Sequence, residues 1–330
     1  FNYLFSTVLD FINGKNWRTE IPPVMKDYYD EDKYLKAKNY SKEKGKVSLI
    51  SSTLSTLITL LFLIFNGYGW LDNFISIYYD IPFLKSGIFF LVLFILSDFI
   101  SIPFSCYNTF VIEEKYGFNK TTVKTFVLDK IKGYLLTLII GGILLFGAIY
   151  IVSLLENGFW VWIWISLSVI MLLVNMFYAD LIVPIFNKLT PLEAGSLRKK
   201  IESYTKKVGY SLKNIYIIDG SKRSSKANAF FSGLGPRKTI ALYDTLIEKH
   251  TEEELVAVLA HEVGHYKKKH VFTSLFLTIS QLGLMCFLLE ICLKVVEISQ
   301  ALGGKEMVFH LGLVAFGILY SPIGTILSIT

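Results

Sequence analysis

Six stretches of about twenty residues carry almost no charged side chain. An apolar helix of about twenty residues is long enough to cross the roughly 30 Å hydrocarbon core of a lipid bilayer. Inside lipid every backbone N–H and C=O group needs a partner from the protein, which restricts spanning segments to helices and closed barrels. The sequence therefore predicts six transmembrane helices, over residues 47–67, 84–106, 134–155, 159–186, 271–297 and 307–327.

The remaining composition agrees with a membrane protein. Hydrophobic residues make up 53% of the chain and charged residues 18%, outside the usual range of soluble domains. The opening "FNYLFSTVLDFI" resembles the exit end of a further apolar span that begins before Phe1, and it lacks the basic region and cleavage site of a signal peptide. The three cysteines lie in apolar stretches without the spacing of a thiolate metal site, so we expect neither a zinc–thiolate centre nor a disulfide framework.

Basic residues alternate between the connections. Lysine and arginine number nine in 15–46, none in 67–83, five in 107–133 and sixteen in 187–270. Under the positive-inside rule the three basic connections lie on the cytoplasmic side. The net charge of +6 belongs to these loops, and no pattern of RNA or DNA binding is present, so we expect no nucleic-acid partner.

The long connection 187–270 has the mixed pattern of a small folded domain. Residues 196–210 predict an amphipathic helix, and three short runs rich in β-formers predict strands at 214–219, 228–232 and 238–243. A second helix is expected after Thr251, because Thr251 and Glu254 form the pattern of a capping box.

This second helix contains "LAHEVGHY", residues 259–266, with the H-E-x-x-H pattern of metalloproteases. His261 and His265 are four residues apart, which places both imidazoles on one helix face, where they can bind a tetrahedral zinc ion. Glu262 can face a zinc-bound water, take its proton as the water attacks a carbonyl, and pass the proton to the leaving amine. The alternative interpretation is a solvated helix face that carries two histidines beside a lysine run.

A zinc site of this kind needs a third protein ligand. Glu290 lies in an apolar stretch and is a poor candidate, because a carboxylate there is costly unless it is paired or hydrated. His270 follows His265 by five residues, off the ligand face, and is interpreted as an interfacial residue. We expect the third ligand beyond Thr330.

Longer sequence segments also support the metalloprotease interpretation. The chain resembles the integral-membrane zinc CAAX prenyl protease family, type I, or a bacterial relative of it. The matching segments are "IPPV" at 21–24, "VIEEKYGFNKTTVKTF" at 111–126, "PIFNKLTPLE" at 184–193, "YIIDGSKRSSKANAFFSG" at 216–233, "IALYDTLI" at 240–247 and "LAHEVGHY" at 259–266.

The resemblance implies a fold: an all-α polytopic membrane protein whose seven spans form a helical barrel around an intramembrane chamber. A small α+β metalloprotease domain, with the HExxH helix and a short sheet, lies in the loop before the last two spans. The expected divisions are 1–186 for spans and basic loops, 187–270 for the metalloprotease domain, and 271–330 for the last two spans.

The resemblance also implies roles for single residues. His261 and His265 match the ligands of one Zn²⁺ per chain, and Glu262 matches the general base. Asn228 and Ala229 match a strand that holds the substrate backbone, which agrees with the ability of an edge strand to bind an extended peptide. The third ligand of the family is a glutamate after the last span, expected here beyond Thr330.

The expected function is that of a zinc-dependent membrane endopeptidase that cleaves near the C-terminus of prenylated, CAAX-type substrates. Its partners would be a lipidated peptide or protein, membrane lipids and the segment after Thr330, if that segment is a separate chain. The expected membrane is the endoplasmic reticulum or inner nuclear membrane of a eukaryote, or the inner membrane of a bacterium, with the active site on the cytoplasmic side.

The sequence is also compatible with two other functions. One is a quality-control metalloprotease for membrane proteins. The other is a transporter or membrane scaffold with a fortuitous HExxH, for which paired internal repeats and broken helices are typical. Neither repeats nor broken helices are evident in the sequence.

Overall fold

The computed structural model describes residues 1–18, 20–210, 214–232 and 238–329. By its contacts the chain divides into two compact units. The first unit comprises Phe1–Gly117, Leu145–Leu154 and Phe287–Thr330, and the second unit comprises Phe118–Leu144 and Leu155–Cys286. The units are defined by packing, so the three-part division expected from the sequence stays a prediction.

Helices dominate the described part of the chain. In chain order they are α1 (Asn2–Asn16), α2 (Glu31–Ile64), α3 (Gly67–Tyr78), α4 (Pro82–Tyr107), α5 (Val123–Leu154), α6 (Phe159–Phe177), α7 (Val183–Phe186), α8 (Ser196–Lys207), α9 (Asp244–Lys249), α10 (Glu252–Lys267), α11 (His270–Leu293), α12 (Val296–Gln300) and α13 (Phe309–Ile329). Single π-helical segments, Asn108–Glu113 and Tyr178–Ile182, extend α4 and join α6 to α7.

Six helical segments within the described ranges are long and apolar enough to cross a membrane. They are Glu31–Ile64, Pro82–Glu113, Val123–Leu154, Phe159–Phe186, His270–Leu293 and Phe309–Ser328. Each overlaps one of the six apolar stretches, although the first and third helices begin more than ten residues before the predicted stretch, so the predicted polytopic helical fold is confirmed. The opening stretch, expected to end a seventh span, forms the 15-residue helix α1.

The apolar side chains of the spanning helices are largely exposed on the protein itself. Ile64 and Phe99 are among the most exposed of them. Water would oppose this exposure, at about 25 cal/mol for each Å² of apolar surface, whereas the hydrocarbon of a bilayer does not. Lipid is therefore the solvent that these helices require.

The apolar core of the first unit lies where α3 packs near α4 and α13. Its buried members are Leu71, Ile75, Phe89, Leu302, Leu311 and Ala315. Gly69 makes close packing possible, because a Cβ atom there would lie 2.7 Å from the Cα atom of Gly303. The short segments between the spans thus pack against the span ends.

A buried polar network crosses this core. His310 Nε2 lies 2.9 Å from Asp72 Oδ1, and His310 Nδ1 lies 3.1 Å from Ser86 Oγ. All three residues are buried, and the ring of Phe89 packs on the imidazole with centroids 4.4 Å apart. The network joins α3, α4 and α13 by directional bonds that apolar packing alone does not supply.

The second unit contains a four-stranded sheet in the order β1-β2-β4-β3. The strands are β1 (Leu189–Pro191), β2 (Asn214–Ile218), β3 (Ala229–Ser232) and β4 (Thr239–Tyr243). Strands β2 and β4 are parallel, and the two outer pairs are antiparallel. Helices α8 and α10 supply Ile201, Leu255 and Leu259 to a core with Ile240 and Leu242 of β4.

We expect His310→Ala to lower the free energy of unfolding by about 2–4 kcal/mol, because it leaves a buried carboxyl group and a buried hydroxyl without their partner. Ser86→Ala is the matched control: it removes one neutral hydrogen bond and should cost only about 1 kcal/mol. Thermal unfolding of the purified protein in detergent measures both. Equal unfolding temperatures for the two variants would contradict a central role for the Asp72–His310 contact.

Candidate metal centre

The helix α10 begins at a complete capping box. Thr251 Oγ1 accepts a hydrogen bond from the Glu254 backbone N–H at 3.3 Å, and Glu254 Oε2 accepts one from the Thr251 N–H at 2.9 Å. This bond from the Thr251 backbone lowers the pKa of Glu254, so the carboxylate stays charged beside the positive end of the helix dipole. The N-cap predicted from the sequence is therefore present.

One side of α10 packs in the core and the opposite side is exposed. Leu255 and Leu259 are buried in the core against the sheet. His261 follows Leu259 by two residues, about 200° around the helix, so it faces away from that core. His261 and His265 are exposed, and Glu262 is half-buried. Helix period alone therefore separates the packing side chains from those available to a ligand.

The two imidazoles converge. Their Nε2 atoms are 3.1 Å apart, and the rings meet edge to face with centroids 4.8 Å apart. Two nitrogens that each bind one tetrahedral ion at about 2.0–2.1 Å are separated by about this distance. The pair thus fits a metal ion. In the part of the chain that the structure describes, no group of three or more His, Cys, Asp and Glu side chains forms a complete site.

His270 also belongs to this cluster. Its Nδ1 atom lies 2.9 Å from Nδ1 of His265, and the two rings are 5.0 Å apart between centroids. Sequence reasoning missed this contact because it placed His270 by the period of a continuous helix, whereas α10 ends at Lys267 and α11 begins at His270. The lysine run before His270 indicates the end of α10, but it does not indicate how the two rings meet across the break.

Glu290 has a different environment. Its carboxylate is buried and lies 2.6 Å from the ammonium of Lys294, one helical turn further on. An ion pair accounts for a carboxylate in an apolar segment without a metal. This pairing weakens the case for Glu290 as a ligand.

Asn228 and Ala229 lie at the start of β3, an edge strand of the described sheet. The Asn228 carbonyl accepts a hydrogen bond from the Tyr243 N–H at 3.1 Å, which directs the Asn228 backbone toward β4. In an antiparallel pair the next residue directs its backbone groups to the other side. The N–H and C=O groups of Ala229 therefore point to the outer edge, where the N–H donates to Asn228 Oδ1 at 2.9 Å.

A cavity of about 380 Å³ opens beside this strand. Its lining combines aromatic and aliphatic side chains with two asparagines: Tyr178, Ile182, Val183, Phe186, Asn187, Ile218, Asn228, Phe230 and Tyr243. Burial raises the pKa of Tyr243, so its hydroxyl remains protonated in the neutral range. The cavity can hold a bulky apolar group and offers polar atoms from Asn187 and Asn228.

Comparison with known proteins identifies the family. A model described as CAAX prenyl protease N-terminal, five membrane helices, matches residues 13–188, and the model of Peptidase family M48 matches residues 191–324. The chain belongs to the CAAX prenyl protease family within peptidase family M48. The resemblance seen in the sequence is thereby confirmed.

Individual relatives support the same family assignment. The CAAX prenyl protease 1 homolog of Dictyostelium discoideum is 34% identical, over 99% of this chain and 79% of its own length. The probable CAAX prenyl protease 1 of Schizosaccharomyces pombe is 36% identical, but this chain spans only 59% of its length. The crystal structure of S. mikatae Ste24p matches with a TM-score of 0.91 at 32% identity, over 98% of this chain and 80% of that chain.

Membership has two consequences for the chain. It is a multi-pass membrane protein, as its six candidate spans and its five-helix family model both indicate. Family M48 also implies a metal cofactor, and the converging Nε2 atoms of His261 and His265 fit one. The histidine pair is therefore the candidate metal centre.

The end of α10 next to this centre is held by a buried cation. Lys238, which directly precedes β4, is buried, and its ammonium lies 3.6 Å from the ring centroid of Tyr266 and 4.7 Å from that of Tyr210. Burial, with a smaller contribution from Tyr266, raises the pKa of Tyr210 to about 12. Because Tyr266 follows His265 directly, this contact fixes the helix turn that carries the second candidate ligand.

We expect Lys238→Met to destabilise the protein by about 1–2 kcal/mol, because methionine retains an apolar stem but cannot make the cation–π contacts with the two rings. Thermal unfolding of the purified protein in detergent measures the effect. Tyr266→Phe keeps the aromatic face and should lie close to the parent protein. A loss in Tyr266→Phe as large as that in Lys238→Met would show that the hydroxyl, rather than the cation–π contact, stabilises this turn.

Proposed function

We propose that this protein is a zinc-dependent membrane endopeptidase that cleaves near the C-terminus of prenylated, CAAX-type substrates. The observation that carries the proposal is the 3.1 Å approach of the His261 and His265 Nε2 atoms, the two histidines of the H-E-x-x-H motif, in a chain of the CAAX prenyl protease family. The relatives named as CAAX prenyl proteases support the substrate class.

The two histidines would hold the zinc ion through their Nε2 atoms, and a glutamate beyond Thr330 would complete the ligand set. When bound, zinc polarises the scissile carbonyl and lowers the pKa of a coordinated water to about 7. His261 and His265 serve as neutral ligands, so each must present an unprotonated Nε2 to the metal.

Glu262 is the proposed general base. It follows His261 directly on α10, so it is adjacent to the histidine pair in the sequence and supplies neither of the two facing nitrogens. The carboxylate takes a proton from the attacking water and returns it to the nitrogen of the leaving amine. Half-burial of Glu262 leaves it accessible to a water molecule at the surface of α10.

Ala229 and Asn228 are proposed to bind the substrate backbone. The outward N–H and C=O groups of Ala229 can pair with an extended peptide by strand addition. In the free protein Asn228 Oδ1 accepts from the Ala229 N–H, at the place where a peptide carbonyl would accept. This bond protects the edge strand and must open for the peptide to bind. Side chains on the cavity's side of that peptide would enter the 380 Å³ space.

The basic connections support a cytoplasmic active site, since residues 187–270 contain the candidate centre and sixteen lysines and arginines. The relatives from fungi and Dictyostelium favour the eukaryotic alternative, with the endoplasmic reticulum or inner nuclear membrane as location. In such a membrane the lipid anchor of a prenylated substrate would share the bilayer with the enzyme.

We expect Glu262→Gln to retain one zinc ion per chain but to lose about 10²–10⁴-fold in kcat, because glutamine cannot accept the proton from the attacking water. Metal analysis and peptide cleavage by the purified protein in its full natural length measure the two effects. His265→Ala, in contrast, should lose the zinc. Parent protein without zinc, or Glu262→Gln with full cleavage, would overturn the proposed mechanism.

We expect an S-farnesyl peptide to be cleaved with a kcat/KM about tenfold or more above that of the same peptide with S-methyl on its cysteine, because the apolar chain adds binding free energy at the membrane. Both peptides are assayed with the protein reconstituted in vesicles. Equal kcat/KM values would contradict the prenyl requirement and favour a quality-control protease instead.

A further inference from the structure

Both ring nitrogens of His265 have a neighbour. Nε2 lies 3.1 Å from Nε2 of His261, on the side where the candidate metal would bind. Nδ1 lies 2.9 Å from Nδ1 of His270, which is hydrogen-bonding distance. The two nitrogens lie at different edges of the ring, so the contact with His270 leaves the metal side of His265 free.

The contact between His265 and His270 depends on the backbone conformation between α10 and α11. After α10 ends, the Lys268 N–H donates to the Gly264 carbonyl and the Lys269 N–H donates to the Tyr266 carbonyl, each at 2.9 Å. Lys269 then adopts a φ of +58°, in the left-handed region that non-glycine residues seldom occupy. The left-handed residue ends α10 and allows α11 to start at once, with the His270 ring against His265.

We propose that His270 is a positioning residue for the metal centre: its Nδ1 accepts a hydrogen bond from the Nδ1–H group of His265. A histidine ligand that donates its second N–H to a fixed acceptor is held in one tautomer and one ring orientation, with Nε2 unprotonated and directed at the metal. The proposal rests on the proposed zinc function. In it, the left-handed conformation of Lys269 brings the acceptor, His270 Nδ1, next to His265.

His270 is not a third ligand in this arrangement. Its Nδ1 faces the nitrogen of His265 that points away from His261, so a metal between the two Nε2 atoms is not in reach of that contact. His270 therefore acts on the metal through His265. The distinction is measurable, because loss of a ligand and loss of a supporting acceptor have different effects on zinc at saturation.

The test is the zinc affinity of the purified protein in its full natural length, measured by competition with a chelator. His270→Ala should weaken zinc binding by about 10- to 100-fold, the usual effect of losing an acceptor behind a histidine ligand. At saturating zinc it should still bind one ion per chain, whereas His265→Ala should not.

Three further variants separate positioning from general damage. His270→Gln offers a carbonyl oxygen as acceptor and should recover most of the affinity. Lys269→Gly keeps the left-handed link and should bind zinc like the parent protein. His250→Ala removes an exposed histidine that contacts Glu254 and should also leave the affinity unchanged.

The result that overturns the proposal is an affinity of His270→Ala within twofold of the parent, or a loss of zinc at saturation equal to that of His265→Ala. Equal losses in His270→Ala and His270→Gln would also overturn it, since the acceptor would then not be the cause. A parent protein that binds zinc but cleaves no peptide would refute the proposed function alone, because the zinc affinities of the variants would still be measurable.

Discussion

The packing of α10 against the four-stranded sheet is the constraint on which the candidate centre depends. Leu255 and Leu259 bury one side of the helix in the core with β4, and the helical period then turns His261 and His265 outward. A zinc–histidine pair needs its nitrogens within a few tenths of an ångström of their places. Such precision is available from a packed helix, whereas a surface loop would not hold two imidazoles 3.1 Å apart.

The two ends of α10 are stabilised by different kinds of interaction. At the first end, Thr251 and Glu254 satisfy backbone donors reciprocally, and the Glu254 carboxylate complements the positive end of the helix dipole. At the second end, the buried ammonium of Lys238 lies on the Tyr266 ring, and the left-handed Lys269 stops the helix. Since the candidate ligands lie nearer the second end, the contacts of β4 and of the link to α11 govern the centre more directly than the N-cap does.

Much of this could be predicted from the sequence, because the signals are local. The length of the apolar stretches predicted the six spans, and the capping pattern predicted the start of α10. The four-residue spacing of His261 and His265 predicted that both lie on one face of the helix. The strand β1 was not predicted, since three residues are too few to show alternation. The His265–His270 contact was missed because it depends on where a helix breaks, and the Asp72–His310 contact because it joins residues far apart in the chain.

The buried ion pairs of the described chain and the histidine pair of α10 differ in their surroundings. Asp72 with His310, and Glu290 with Lys294, are buried and bonded to each other, so the cost of removing them from water is offset inside the fold. His261 and His265 are exposed, with Nε2 atoms directed at one another. Two neutral imidazoles held in this way gain little from each other, whereas a cation between them would satisfy both. The arrangement is therefore better explained by a metal ion than by folding stability.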